Sequence, residues 1–331
     1  MATTCSILIN TAGGLGIFLL GLNQLSEGLQ AVAGKRLRKI VAACTSNRFV
    51  GIVTGAFVTG IVQSSSVVTV MVVGLVTAGV MTLRQAVNVV VGSNIGSTTT
   101  AWFVVLLPTK LGDQSMIIIA VAALFYLFSK REKVRYTALA SLGIGLVFFG
   151  LELMSKGLSP LRSDPGFIEW FHMFDASTLW GVLKCVLMGS LVTAVIQSSA
   201  ASAAISISLA YNGVISFETA VALVFGMNIG TTITAWLAAL TASTEARRAA
   251  LAHTLFNCIG VVILAPLFML VIVPWLHHAF PTMMEGQSTA SGMVYPKITA
   301  PIALVHTGFN VVNTVLFLPF LGLFTMLVRH L

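Results

Sequence analysis

The sequence predicts an all-α polytopic membrane protein built from two inverted-topology repeats, each with a re-entrant helical hairpin and a broken transmembrane helix. Composition, an internal repeat and the distribution of loop charge predict it. Of the 331 residues, 57% are hydrophobic and only 8% are charged, and the mean hydropathy is +0.97. Soluble domains carry roughly 25% charged residues, so this chain cannot cover a water-facing surface of ordinary size. In a bilayer the natural unit is a span of about 20 apolar residues.

The repeat is read directly. Thr59-Gly-Ile-Val-Gln-Ser-Ser-Ser66 returns as Thr193-Ala-Val-Ile-Gln-Ser-Ser-Ala200, and Gly92-Ser-Asn-Ile-Gly-Ser-Thr-Thr-Thr-Ala-Trp102 as Gly226-Met-Asn-Ile-Gly-Thr-Thr-Ile-Thr-Ala-Trp236. Both pairs are offset by 134 residues (197 minus 63 and 228 minus 94). Upstream, Gly16-Ile-Phe-Leu-Leu-Gly21 resembles Gly145-Leu-Val-Phe-Phe-Gly150. Two long matches in one register are not a chance event.

Loop charge orients the halves. The stretch after the first span holds Lys35, Arg36, Arg38, Lys39 and Arg48 with no acid among them. The matching linker from Ser159 to Thr178 holds Arg162 against Asp164, Glu169 and Asp175. By the positive-inside rule the first linker is cytoplasmic and the second is outside, which makes the repeat inverted.

The elements follow in order. Ile7 to Leu25 has no preceding Lys or Arg, so it reads as a retained span rather than a signal peptide. Asn47 to Gly79 is a hairpin of two short helices with Gln63 to Ser66 at its tip. Gln85 to Leu107 crosses with an interruption at Asn94 to Thr100. Ser115 to Phe128 returns to the cluster Lys130, Arg131, Lys133 and Arg135, and Thr137 to Ser155 crosses again. The second half places a hairpin at Leu179 to Gly213 and a span at Thr219 to Leu240, interrupted at Asn228 to Thr232. Leu251 to Val273 crosses, a polar loop runs from His277 to Lys297, and Ile298 to Leu327 crosses back. The expected units are 1–136 and 137–248 for the two repeats and 249–331 for C-terminal scaffold spans. In this tracing the N-terminus is outside and the C-terminus cytoplasmic, in a cell (inner or plasma) membrane.

Backbone polar groups in lipid are satisfied by an unbroken helix; a break is tolerated where it lines a cavity. Each half concentrates Gly, Ser, Thr, Asn and Gln at mid-membrane points, where an opened half-helix offers free N–H groups to an anion and carbonyls to a hard cation. No Asp, Glu, His, Lys or Arg lies in 60–80, 89–105, 188–210 or 220–239. Proton relays need titratable groups in the membrane, so the pattern favours coupling to sodium.

These motifs resemble the paired signatures of the type II sodium–phosphate cotransporters: Gln63-Ser-Ser-Ser66 and Gln197-Ser-Ser199, each followed about thirty residues on by Asn-Ile-Gly-x-Thr. The similarity covers the chain from about Gly14 to Pro266. It implies sodium-driven uptake of inorganic phosphate, with both hairpins meeting at one central site and a transport domain moving against a fixed scaffold, as in elevator-type transporters. On that footing Ser64, Ser65, Ser66, Ser198 and Ser199 are assigned to phosphate. Gln63, Gln197, Asn94, Asn228, Thr98, Thr99, Thr231 and Thr232 are the candidates for holding sodium. Ala200 stands where the first motif has Ser66, so the third hydroxyl is not needed symmetrically.

Sodium and phosphate are thus the expected ligands, with membrane lipid as surroundings and a homodimer left open. No cofactor, transition metal or nucleic acid is implied. The net charge of +8 is the ordinary basic excess of cytoplasmic loops. The four cysteines, Cys5, Cys44, Cys185 and Cys258, fit no metal pattern. His253-Thr-Leu-Phe-Asn257 and His306-Thr-Gly-Phe-Asn310 each set His and Asn on one helix face and read as interhelical hydrogen-bonding groups of the scaffold. The rival readings are a transporter of another small anion (sulfate or a carboxylate) and an ion channel. A serine hydrolase would need a base beside Ser64 or Ser198, and neither has one in sequence.

Overall fold

The computed structural model describes residues 2–43, 47–105, 111–158, 160, 174–289 and 292–331. It is helical almost throughout. In chain order the helices are α1 (Ala2–Ala43), α2 (Arg48–Val62), α3 (Ser65–Thr77), α4 (Leu83–Ser97), α5 (Thr99–Val105), α6 (Leu111–Phe128) and α7 (Glu132–Leu158). After the linker come α8 (Leu179–Ile196), α9 (Ser199–Tyr211), α10 (Phe217–Gly230), α11 (Ile233–Ala239), α12 (Thr244–Leu267), α13 (Val273–Ala279), α14 (Thr299–Phe317) and α15 (Leu321–His330). Among the described residues, five helical stretches are long and apolar enough to cross a membrane: Glu132–Leu158, Leu179–Ile196, Phe217–Ala239, Thr244–Ala279 and Pro296–His330. Large apolar side chains such as Leu127, Val195 and Val262 stand more than two-thirds exposed on the outer faces. A water-facing protein does not carry so much exposed apolar surface; a lipid-facing one does.

Several expected boundaries move. The first span does not stop at Leu25: α1 continues through the basic stretch to Ala43 as one helix of 42 residues. Arg162, Asp164 and Glu169, which carried half of the loop-charge comparison, lie outside the described residues. The helix begun at Thr244 runs to Ala279 through a π-turn at Phe268–Ile272, between Pro266 and Pro274. Pro266 has no N–H to give to the helix ladder, and a widened turn absorbs that loss. The expected polar loop therefore begins only after Ala279, and it contains a short antiparallel pair, β1 (Gln287–Thr289) and β2 (Gly292–Val294).

Glycine sets the closest packing. α1 and α7 run antiparallel with Gly14, Gly21 and Gly28 facing Gly150, Gly143 and Tyr136–Ala140. A Cβ at Gly21 would lie 2.6 Å from the Val147 backbone nitrogen, and one at Gly150 would lie 2.5 Å from that of Phe18. The obstacle is backbone in each case, so no rotamer change relieves it. Gly21→Leu is expected to lower stability by about 3 kcal/mol or more, read as a fall in melting temperature in detergent.

Within each half the packing repeats residue by residue. A Cβ at Gly55 would overlap the Val89 carbonyl, at Gly92 that of Ile52, and at Gly96 that of Ala56. At Gly189, Gly226 and Gly230 it would overlap the carbonyls of Leu223, Val186 and Ser190. Every residue in the second set is the first plus 134. α2 thus lies on α4 as α8 lies on α10.

Candidate functional site

Gln63 and Gln197 are the only non-glycine residues with positive φ among the described residues, at φ 57° each, with ψ 23° and 25°. Each ends its helix in a left-handed cap, with its own N–H on the carbonyl of Thr59 or Thr193 at 2.7 Å. The next residue is extended (Ser64 φ −149°, Ser198 φ −141°) and caps the following helix. Its Oγ accepts from Val67 N at 3.2 Å in one hairpin and from Ala201 N at 3.2 Å in the other. The chain therefore ends one helix and starts the next within two residues, without a loop. This leaves the first amides of α3 and α9 directed out of the break, with the positive end of each helix dipole behind them. A left-handed Gln costs on the order of 1–3 kcal/mol, and its recurrence at matched positions makes the two breaks the candidate site.

The Asn-Ile-Gly segments are not opened in the way expected. Asn94 lies inside α4 with Nδ2 donating to Val90 O at 3.0 Å, and Asn228 lies inside α10 with Nδ2 donating to Val224 O at 2.8 Å. The interruption shrinks to Thr98 in one half and to Thr231–Thr232 in the other, all with right-handed helical dihedrals. The glycines explain this: they are occupied in packing α4 on α2 and α10 on α8, which an unwound segment would forfeit.

The helices that follow the breaks pack crosswise. α3 packs on α11 and α9 on α5, so each hairpin's second arm meets the distal broken helix of the other half. Gln63 is buried; its amide nitrogen donates to Gly60 O, and its Oε1 accepts from Thr100 Oγ1 at 3.1 Å. Gln197 is exposed, and Thr234, which occupies the position matching Thr100, donates instead to Thr231 O at 2.9 Å. The two halves share a sequence motif and hold it in two different states. Ser65 is buried, while Ser64, Ser66, Ser198 and Ser199 are partly accessible. Thr98, Thr99 and Thr232 donate to carbonyls of the helix that ends before the interruption, α4 or α10, and among the described residues the buried Thr231 hydroxyl has no partner.

Thr100 and Ser26 were missed by sequence reasoning. Thr100 sits in the Ser-Thr-Thr-Thr run and could have been counted with its neighbours. Ser26, whose Oγ donates to the Val62 carbonyl at 2.7 Å, carries no motif signal and is found only from the packing of α1 on α2. The His-Thr-x-Phe-Asn segments do make interhelical hydrogen bonds, and they make them to the site. His253 Nε2 lies 3.4 Å from Asn94 Oδ1, and Asn310 Nδ2 donates to Asn228 Oδ1 at 3.2 Å. Thr307 Oγ1 donates to Thr98 Oγ1 at 3.1 Å and accepts from Trp102 at 3.0 Å; Thr254 accepts from Trp236 at 2.8 Å. Thr254→Val removes the Trp236 acceptor and is expected to cost about 1 kcal/mol, seen as a lower melting temperature with the helical circular-dichroism spectrum unchanged.

The two helix breaks are polar points in a bundle of apolar helices, several of them long enough to cross a membrane, as in a polytopic membrane protein. Comparison with known proteins makes the class specific: the Na+/Pi-cotransporter family matches residues 17–156 and 173–274, and the chain belongs to that family. It is 31% identical to the uncharacterized protein YqeW of Bacillus subtilis, covering 98% of both chains. It is 28% identical to the putative inorganic phosphate export protein YjbB of Escherichia coli O157:H7, covering 95% of this chain and 53% of that one. Over 110 residues, 33% of this chain and 16% of the other, it is 37% identical to the human sodium-dependent phosphate transport protein 2B. No solved structure matches the chain.

Proposed function

We propose that this protein is a sodium-coupled symporter that carries inorganic phosphate into the cell across the cell membrane. The doubled, loop-free break at Gln63-Ser64 and Gln197-Ser198 carries the reading, because it sets two helix N-termini at polar tips inside an apolar bundle. Phosphate oxygens accept from the hydroxyls of Ser64, Ser65, Ser66, Ser198 and Ser199 and from the first amides of α3 and α9. Ser64 and Ser198 use a lone pair to cap their helices, which leaves each O–H free to donate. Gln63, Gln197, Asn94, Asn228, Thr98, Thr99, Thr231 and Thr232 hold sodium or orient what holds it. The surroundings are neutral, so sodium ions and helix ends together offset the charge of a phosphate dianion.

The halves form an inverted repeat, 1–136 and 137–248, with scaffold helices in 249–331, the N-terminus outside and the C-terminus cytoplasmic. The antiparallel course of α1 and α7, whose glycine motifs correspond in sequence, supports the inversion. Gln197 stands exposed beside outward-facing Leu191 and Val195. An amide there is tolerated if it faces a water-filled cavity rather than lipid. Gln63 is closed over by Thr100. We read this as one state of an elevator cycle, open at the second hairpin and closed at the first.

Substitution of sodium tests the reading. Radiolabelled phosphate uptake into proteoliposomes is expected in sodium and absent in potassium, with sulfate and small carboxylates failing to compete. Competition by sulfate equal to that by phosphate would move the substrate to another oxyanion, and unitary currents in planar bilayers would move the class to a channel. The YjbB relatives, named as phosphate exporters, favour a second reading in which net flux is outward. A coupled carrier is reversible, so the gradients across the vesicle set the direction and both signs are measurable.

A further inference from the structure

α12 and α14 carry the same motif at an offset of 53 residues (306 minus 253). Their hydrogen bonds exchange as the halves do: Trp102 goes to Thr307 on α14, and Trp236, its counterpart, goes to Thr254 on α12. Where the two helices meet, Asn313 fills the space over Gly260, which is its own counterpart at the same offset. A Cβ at Gly260 would lie 2.5 Å from Asn313 Oδ1. Asn313 Nδ2 donates to Phe256 O at 3.2 Å, which sets Asn313 beside the turn that carries Asn257.

Asn257, Asn310 and Asn313 are fully buried. Each points its amide nitrogen at an acceptor: Asn257 at His253 O (2.9 Å), Asn310 at His306 O (2.9 Å) and Asn228 Oδ1 (3.2 Å), and Asn313 at Phe256 O. These bonds fix which end of each carboxamide is oxygen, since a flip would set oxygen against oxygen. All three Oδ1 atoms are left without a donor among the described residues. Unpaired buried acceptors are rare and costly, and three along one seam call for a ligand. His253 Nδ1 and both ring nitrogens of His306 are likewise without a partner among the described residues; the three uncharged carboxamide oxygens suit a hard, weakly charged cation and not a transition metal.

We propose that the seam between α12 and α14 binds a sodium ion through the Oδ1 atoms of Asn257, Asn310 and Asn313, separate from the ions held at the hairpin tips. The ion's role in transport rests on the sodium-coupled reading above; its binding does not. A cation there would tie together two helices that each contact both broken helices, so its occupancy would set how firmly the halves are joined.

The test uses purified full-length protein in nanodiscs, melted in sodium chloride and in choline chloride without phosphate, alongside the sodium dependence of phosphate flux. Wild type is expected to melt higher in sodium. Asn257→Ala and Asn313→Ala are expected to shrink that difference and to raise the sodium concentration for half-maximal flux about tenfold, the loss of one ligand to a charged group. Asn257→Asp keeps the shape and adds a charge, so it is expected to lower that concentration, and it serves if the alanine variants fail to fold. A sodium response unchanged in all the variants overturns the site, with bound water then satisfying the amides, and leaves sodium coupling at the hairpin tips standing. Sodium-dependent melting that is lost in Asn313→Ala, together with phosphate flux indifferent to sodium, keeps the site and removes the coupling.

Discussion

Gln197→Ala is expected to cut sodium-driven phosphate flux about tenfold or more while leaving the melting temperature almost unchanged; Gln63→Ala is expected to cut both. The difference follows from the contacts. Among the described residues the Gln197 side chain has no hydrogen-bond partner, so its removal leaves nothing unpaired in the state described. Gln63 accepts from Thr100 and donates to Gly60, so its removal strands a buried hydroxyl and a carbonyl. Such a loss costs about 1–3 kcal/mol of stability in addition to any ligand contact. Gly at either position keeps the left-handed backbone and separates the side chain's part from the backbone's. Parallel flux and melting measurements on Gln63→Gly, Gln63→Ala, Gln197→Gly and Gln197→Ala check all of this. Equal melting behaviour in the two alanine variants would contradict the asymmetry between the halves.

Gly92→Val and Gly226→Val are expected to prevent accumulation of folded protein. In each the new side chain meets the carbonyl of the facing helix, Ile52 or Val186, and neither can move without separating α4 from α2 or α10 from α8. Over-packing of this kind costs about 3 kcal/mol or more where backbone is the obstacle, against total stabilities of about 5–15 kcal/mol. Gly74 in α3 is the control, because a Cβ there has nothing within 4 Å. Gly74→Ala is expected to hold or slightly raise stability through helix propensity, by up to about 1 kcal/mol. Fluorescence-detected size-exclusion of the three variants distinguishes the cases: a monodisperse peak for Gly74→Ala and none for the other two.

The hairpins were legible because their signal is local. A Gln-Ser-Ser pair in an apolar run, repeated at one offset, places the break to the residue, and Gln63 and Gln197 are where the backbone turns left-handed. The Asn-Ile-Gly segments misled for a physical reason. Glycine in a membrane helix can mark either unwinding or close approach, and only the facing helix decides which. Gly92 and Gly96 face the carbonyls of α2, so α4 stays wound through Asn94. The end of α1 was missed because positive charge was read as the end of a span, whereas a helix can continue past the membrane surface through basic residues. The opposite states of Gln63 and Gln197 leave no trace in sequence, since the motifs agree and only tertiary packing separates them. The His-Thr-x-Phe-Asn segments were legible as hydrogen-bonding groups, but their target was not, because Asn94 and Asn228 lie 159 and 82 residues from His253 and Asn310.

The most direct measurement is uphill movement. Proteoliposomes of the full chain hold labelled phosphate at equal concentration inside and out, and a sodium gradient is then imposed with the membrane potential clamped. The account predicts net accumulation of phosphate on the low-sodium side, reversal when the gradient is reversed, and no movement in Gln197→Ala. Phosphate that stays at equilibrium under either sodium gradient, in vesicles shown to hold inserted protein, would contradict it.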